Sequence, residues 1–370
     1  MTTISKPLKR RGKLLFKFFC VFLAGICIFC AKQSRLLDFE QVLAERNYGE
    51  SAIVMERLSG RILCEKNAYD KKFMASTTKI LTAVTVLENC DSDAVVTVGS
   101  ETVGVEGSSI YLEAGEKLSV KDLLYGLMLR SGNDAAETLA VFCSGDIKSF
   151  AELMNVTAKK IGAKNSNFIN PHGLHDDKHY TTAYDLALIT RYAMGNEIFR
   201  EIVSCKVKEI PWTTRNYNRK LVNKNKMLAE FEGATGVKTG FTKKAGRCLV
   251  SSCLRDGMEL ICVVLNCPPM FERSKNLLTE AFSEYSMRKL VSADNVLDFV
   301  KKKETDELCG LYIKNDILLP MTDEELKNYQ IVYDYPKELS AETKKDDEIG
   351  SIKIYCQNNL IFSQKIYTLI

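Results

Sequence analysis

The chain lacks an apolar stretch long enough to cross a membrane in a straightforward way. Its N-terminal run, Phe18 to Ala31, has about 14 residues against the ~20 that a spanning helix needs. Cys-x-x-Cys pairs are absent outside this run, which contains Cys27 and Cys30, so no zinc or dithiol redox motif is supported. Histidine is scarce. The only three, His172, His175 and His179, share one loop with Pro171 and Gly173, and their spacing matches no helical H-E-x-x-H face. A structural loop is expected there, with no metal and no cofactor. Neither internal repeats nor low-complexity tracts occur. A basic surface is missing too. The net charge of +4 arises from Lys6, Lys9, Arg10, Arg11, Lys13 and Lys17 in the first 31 residues, which hold no acid, and the remainder sums to −2. Nucleic-acid binding is therefore not expected.

What is present at the N-terminus is a basic stretch followed by a short apolar core, the pattern of a targeting segment. Cleavage after Ala31 would leave Phe29 where a small residue is favoured, so an uncleaved membrane anchor stays open beside a signal peptide. The expected location is extracytoplasmic, in the cell wall or on the outer face of the cytoplasmic membrane. Of thirteen cysteines, ten follow the leader, scattered through apolar runs in which they read as small buried hydrophobes.

The length suits two domains at roughly 100–200 residues each. Three parts are expected: 1–31 as signal peptide or anchor, 32–290 as a catalytic domain, and 291–370 as a small β-rich domain. In the middle part, Ser51–Met55 and Arg61–Glu65 form a hairpin across Leu58-Ser59-Gly60. Two further strands, 248–253 and 260–265, join across Asp256-Gly257. Helices fill most of the intervening sequence, and one over 271–290 closes the part. Beyond Ser292, short alternating runs separated by charged turns read as strands. The last of these reaches the end of the sequence, so no C-terminal amphipathic anchor helix is expected.

Three motifs carry the chemistry. Ser76-Thr77-Thr78-Lys79 opens a helical run and sets a hydroxyl and an amine one turn apart on one face. Serine is a poor nucleophile without a base, and lysine is a base only when neutral. Burial and the charge of Lys238 would both lower its pKa. Ser131-Gly132-Asn133 lies between two helices and offers a hydroxyl that relays a proton and an amide that binds a carbonyl. Lys238-Thr239-Gly240 lies on a strand whose edge can align an extended peptide, with Lys238 and Thr239 for a carboxylate and Gly240 for close approach. Each motif alone is weak: Ser286-Met287-Arg288-Lys289 also reads S-x-x-K, and Ser274-Lys275-Asn276 also reads S-x-N. Their order, 55 and then 107 residues apart, is what makes the set specific.

These residues, with Asn170-Pro171-His172-Gly173-Leu174 and the run Gly236 to Gly246, resemble the D-alanyl-D-alanine carboxypeptidases, the low-molecular-mass penicillin-binding proteins. The resemblance covers about Ser51 to Leu290, and the tail is similar to that family's β-rich domain. It implies an α/β (α+β) fold of the β-lactamase/transpeptidase type, an antiparallel sheet flanked by helices. It also implies roles. Ser76 attacks the penultimate D-Ala carbonyl of a peptidoglycan stem peptide, Lys79 takes its proton, and Ser131 passes a proton to the leaving D-Ala. Asn133 orients the substrate amide. Lys238 and Thr239 bind the terminal carboxylate, Gly240 gives room, and the Ser76 and Phe241 amides hold the oxyanion. β-Lactams would acylate Ser76. Where some relatives carry histidine after Lys-Thr-Gly, this chain has Phe241. Competing expectations are an endopeptidase, a β-lactamase, for which no glutamate before an x-x-Leu-Asn loop is found between Asn133 and Lys238, and a non-catalytic binding module.

Overall fold

The computed structural model describes residues 49–305 and 307–369. The leader expected over 1–31 lies outside the described residues. Among those described, no helix is long and apolar enough to cross a membrane.

A five-stranded antiparallel sheet organises the first part. Its strands are β1 (Ser51–Glu56), β2 (Ile62–Lys66), β3 (Ala234–Thr242), β4 (Gly246–Arg255) and β5 (Met258–Leu265), in the spatial order β2-β1-β5-β4-β3. The β4–β5 turn forms because Asp256 and Gly257 both take positive φ, as a tight primed turn requires. β5 reads Met-Glu-Leu-Ile-Cys-Val-Val-Leu and is buried along its whole length. Both of its faces are covered. Helix α5 (Ala183–Ala193) packs on β1 and β5, and α7 (Met270–Glu284) packs on β4 and β5. β3 lies at the sheet edge, the position the sequence reading gave to a peptide-aligning strand.

The first part also holds helices α1 (Lys79–Asn89), α2 (Val120–Tyr125), α3 (Asn133–Ser144), α4 (Ile147–Ile161) and α6 (Glu197–Ser204), the last packed on β3. Buried Ile80, Leu81 and Val84 of α1, Leu139 of α3, Phe150 and Met154 of α4, and Ile189 of α5 share one core with the sheet. Seven of the cysteines after the leader are buried and three are half-buried, all as free thiols.

One expectation needs correction. The helix placed over 271–290 stops at Glu284, and Ser286–Val291 is a strand paired with Ile317–Met321. The Ser286-Met287-Arg288-Lys289 decoy, placed in a helix, is therefore extended. Tertiary pairing overrides helical propensity there. The polar 205–232 stretch also hides a small hairpin, Val207–Ile210 with Arg219–Val222.

The C-terminal part is a six-stranded sheet with its own core of Leu311, Ile313, Leu319, Ile352, Ile354 and Ile366. Arg61, buried just before β2, ties it to the first part. Its guanidinium donates to the Pro320 carbonyl, pairs with Glu325 and lies over the Tyr285 ring.

Candidate active site

Ser76 sits in a 3-10 turn, Ala75–Thr78, that runs directly into α1. Ala75 takes φ +48°, a left-handed conformation that costs a non-glycine residue about 1–2 kcal/mol. A brace holds it there. Gly173 lies so close that a Cβ on it would stand 1.9 Å from the Ala75 carbonyl oxygen. The Thr78 hydroxyl donates to that same carbonyl at 2.8 Å and lies 2.8 Å from His179 Nε2. Thr82 donates to the Pro171 carbonyl at 2.6 Å.

The histidines belong to this brace. The Ile169 amide donates to His179 Nδ1 at 3.0 Å, which leaves Nε2 to carry the proton toward Thr78. The Leu174 amide donates to His172 Nδ1 at 3.1 Å, so His172 Nε2 faces Glu137 as donor, 3.2 Å away. Burial lowers both imidazole pKa values, His179 to about 3, so both rings are neutral. The loop expected to be structural thus braces the turn that carries Ser76. Gly173→Ala has no room and the wrong φ (+88° in the structure). We expect it to slow acylation by benzylpenicillin about 100-fold by displacing Ser76, measured by stopped-flow against wild type.

Lys79 is fully buried. Its Nζ lies 3.2 Å from Ser76 Oγ, and it donates to Asn133 Oδ1 and to the His172 carbonyl, each at 2.7 Å. Burial holds its pKa well below the ordinary lysine value, and the charges of Lys238 and Lys224 push the same way against a weaker pull from Asp134. In its neutral form, which this lowering favours, the amine has two N–H bonds and one lone pair. Two carbonyl oxygens take the N–H bonds, so the lone pair remains for the Ser76 hydroxyl.

Ser131 and Asn133 come from the break between α2 and α3. A wide turn, Gly126–Arg130, ends at Ser131 in the left-handed region, φ +64°. Its buried Oγ has no hydrogen-bond partner among the described residues. Asn133 opens α3, and its side-chain nitrogen donates to the Glu106 carbonyl at 2.5 Å. Asp134 anchors the crossing segment by accepting from the Ile110 and Leu112 amides, each at 3.1 Å.

β3 closes the site. A Cβ on Gly240 would stand 3.0 Å from the Met74 carbonyl oxygen and 3.1 Å from the Ser76 amide nitrogen, so the strand and the Ser76 turn touch at the glycine. Lys238 is buried, with Nζ donating to the Thr239 carbonyl at 2.7 Å, and burial and Lys224 bring its pKa down to about 7. Thr239 is half-buried. Phe241 is exposed, its ring under the Arg247 guanidinium.

Comparison with known proteins matches this geometry to one family. The family model "D-alanyl-D-alanine carboxypeptidase" fits residues 40–268, and that of the "Penicillin-binding protein 5, C-terminal domain" fits 285–369. The chain belongs to the D-alanyl-D-alanine carboxypeptidase family. It is 31% identical to the carboxypeptidase DacF of Bacillus subtilis (strain 168) over 82% of this chain and 80% of the relative. It is 33% identical to DacC of Escherichia coli (strain K12) over 81% and 78%. Penicillin-binding protein 5 from Haemophilus influenzae superposes with a TM-score of 0.75 at 28% identity, over 86% of this chain and 96% of that one. The chain is accordingly a serine-type D-Ala-D-Ala carboxypeptidase with the expected α/β fold and C-terminal β part.

Two features of this carboxypeptidase escaped the motif analysis. One is the segment Glu106–Ser108, which meets Asn133 through backbone groups and so leaves no residue-type signal. The other is Lys224, in the polar stretch before β3, which donates to Ser108 Oγ at 3.1 Å and lowers the pKa of both site lysines.

Proposed function

We propose that the carboxypeptidase works through an acyl-enzyme on Ser76. The Oγ–H bond gives its proton to the neutral Nζ of Lys79 as Oγ attacks the penultimate D-Ala carbonyl. The amides of Ser76 and Phe241 receive the oxyanion. Ser131, whose Oγ is otherwise unpaired, carries a proton to the departing D-Ala nitrogen, while the Asn133 amide orients the substrate. Lys238 and Thr239 hold the terminal carboxylate, and water then cleaves the ester. The observation that carries this assignment is the Lys79 amine with both N–H bonds occupied and Ser76 Oγ 3.2 Å away. The test is release of one equivalent of D-alanine from a stem pentapeptide, together with a stable benzylpenicillin adduct by intact mass. Rapid nitrocefin turnover would mark a β-lactamase instead, and penicillin binding without D-alanine release a non-catalytic module.

A peptidoglycan substrate supports a location outside the cytoplasm, on the cell wall or the outer face of the membrane. We assign residues 1–31 the role of leader or anchor, 32–290 the chemistry, and 291–370 the support of the catalytic part away from the membrane. Fractionation before and after alkaline washing separates an anchored from a released form.

The two lysines predict a pH profile. Lys79 must be neutral, so kcat/KM rises with pH through its lowered pKa. Lys238 must be cationic to attract a carboxylate, so kcat/KM falls as pH rises through about 7. The expected profile for an anionic peptide is a bell whose falling limb lies near neutrality, well below ordinary lysine. A C-terminally amidated peptide should lose that limb. A profile still rising at pH 9 for the anionic peptide contradicts the assignment of Lys238.

A further inference from the structure

The end of β3 beyond Phe241 leads to a second cavity, of about 410 Å³, which the mechanism above does not use. Lys71, Lys72, Phe73, Asp177, Tyr180 and Lys244 line it. Three ammonium groups against one carboxylate make it cationic. Lys71 is held by Tyr180, with Nζ 4.4 Å from the ring centroid and 3.4 Å from the phenol oxygen. The backbone of Lys72 is fixed by paired bonds to Thr181 of 2.8 and 3.0 Å, and its carboxylate neighbour, Asp70, lies 3.6 Å off and is mostly exposed. Lys244 has neither an ion pair nor a hydrogen bond among the described residues. Asp177 is turned to His175, 3.2 Å away.

The position of the cavity follows from the strand. Residues 243–245 form the turn between β3 and β4, immediately after Phe241 and Thr242. Phe73 stands three residues before Ser76, on the segment that touches Gly240 through Met74. A peptide laid antiparallel along β3, with its terminal carboxylate at Lys238 and Thr239 and its scissile carbonyl at Phe241, therefore extends its N-terminal residues past Thr242 toward Lys244.

We propose that this cavity is a subsite for carboxylates borne by the stem peptide upstream of D-Ala-D-Ala, with Lys71, Lys72 and Lys244 as their partners. It rests on the carboxypeptidase assignment and adds a preference to it. Acidic stems bind better than stems whose side carboxylates are amidated, and ammonium–carboxylate contacts supply the difference. Phe73 and the Tyr180 ring offer apolar cover for the intervening carbon chain.

The test uses the full-length enzyme, wild type and the double variant Lys71→Ala/Lys244→Ala. Both are assayed on two pentapeptides ending in Lys-D-Ala-D-Ala, one with a free upstream carboxylate and one with that group amidated. In wild type the acidic peptide should show the lower KM. The double variant should raise KM for the acidic peptide about tenfold, the effect of losing one charge-assisted contact, with kcat within about twofold. It should leave KM for the amidated peptide and the rate of benzylpenicillin acylation unchanged. Lys244→Glu should raise KM for the acidic peptide further. Equal KM shifts on both peptides, or none on the acidic one, overturn the subsite while leaving the Ser76 mechanism in place. Absence of D-alanine release and of a penicillin adduct in wild type overturns both.

Discussion

Ser76→Ala should abolish D-alanine release, by about 10⁴-fold or more, and remove the benzylpenicillin adduct from the intact mass. Deleting the nucleophile of a serine hydrolase leaves only what binding and the oxyanion site supply, and losses of about 10⁴–10⁶ follow. The variant should still fold. Among the described residues the Ser76 hydroxyl bonds only to Lys79, and the brace of the turn runs instead through Thr78, Gly173 and His179. Its melting temperature should therefore stay close to wild type, as for a polar truncation at a half-buried position. Lys79 keeps its contacts to Asn133 and the His172 carbonyl, so the rest of the site is preserved. An adduct surviving in Ser76→Ala would place the nucleophile elsewhere. Ser286 of the second S-x-x-K is the first position to check. It lies on a strand with an exposed side chain, and Lys289 there pairs with Asp316 rather than with a hydroxyl.

Much of this site was legible because its chemistry needs particular side chains at fixed spacing. Ser76 and Lys79 announce themselves by residue type, and the structure brings them to 3.2 Å. Asn133 was expected to orient substrate, and its side-chain oxygen also receives an N–H bond of Lys79. The strands β1, β2, β4 and β5 were readable from their turns, since Gly60 and Asp256-Gly257 permit conformations that few residues adopt. What could not be read was set by contact rather than by pattern. The role of Gly173 depends on a carbonyl almost a hundred residues away, and nothing local in Pro171-His172-Gly173 signals that. The Ser286–Val291 strand is created by its partner, Ile317–Met321, which contains Pro320 and so does not look like a strand. Lys224 sits in polar sequence where a charged residue is ordinary, and only the fold places it near Lys238.

Lys79→Arg should suppress penicillin acylation about 10³- to 10⁴-fold, the span that a positioned general base contributes. Arginine is never deprotonated in a protein and has no lone pair to accept the Ser76 proton. The same change also buries a permanent cation where burial holds the pKa of the native amine well below ordinary lysine, with no carboxylate bonded to it, so the protein should lose several kcal/mol of stability as well. Lys79→Gln separates the two effects. A carboxamide supplies N–H donors for the Asn133 and His172 oxygens without a charge, so stability should be largely retained. Its nitrogen lone pair is delocalised, so it is no base, and acylation should still fall about 10³-fold. A folded Lys79→Gln or Lys79→Arg enzyme that acylates at the wild-type rate would show that Ser76 is activated by another group. His172 and His179 are poor substitutes, since each ring already spends both nitrogens on the brace. Among the described residues, the lone pair of Lys79 is thus the proton acceptor that the geometry offers to Ser76.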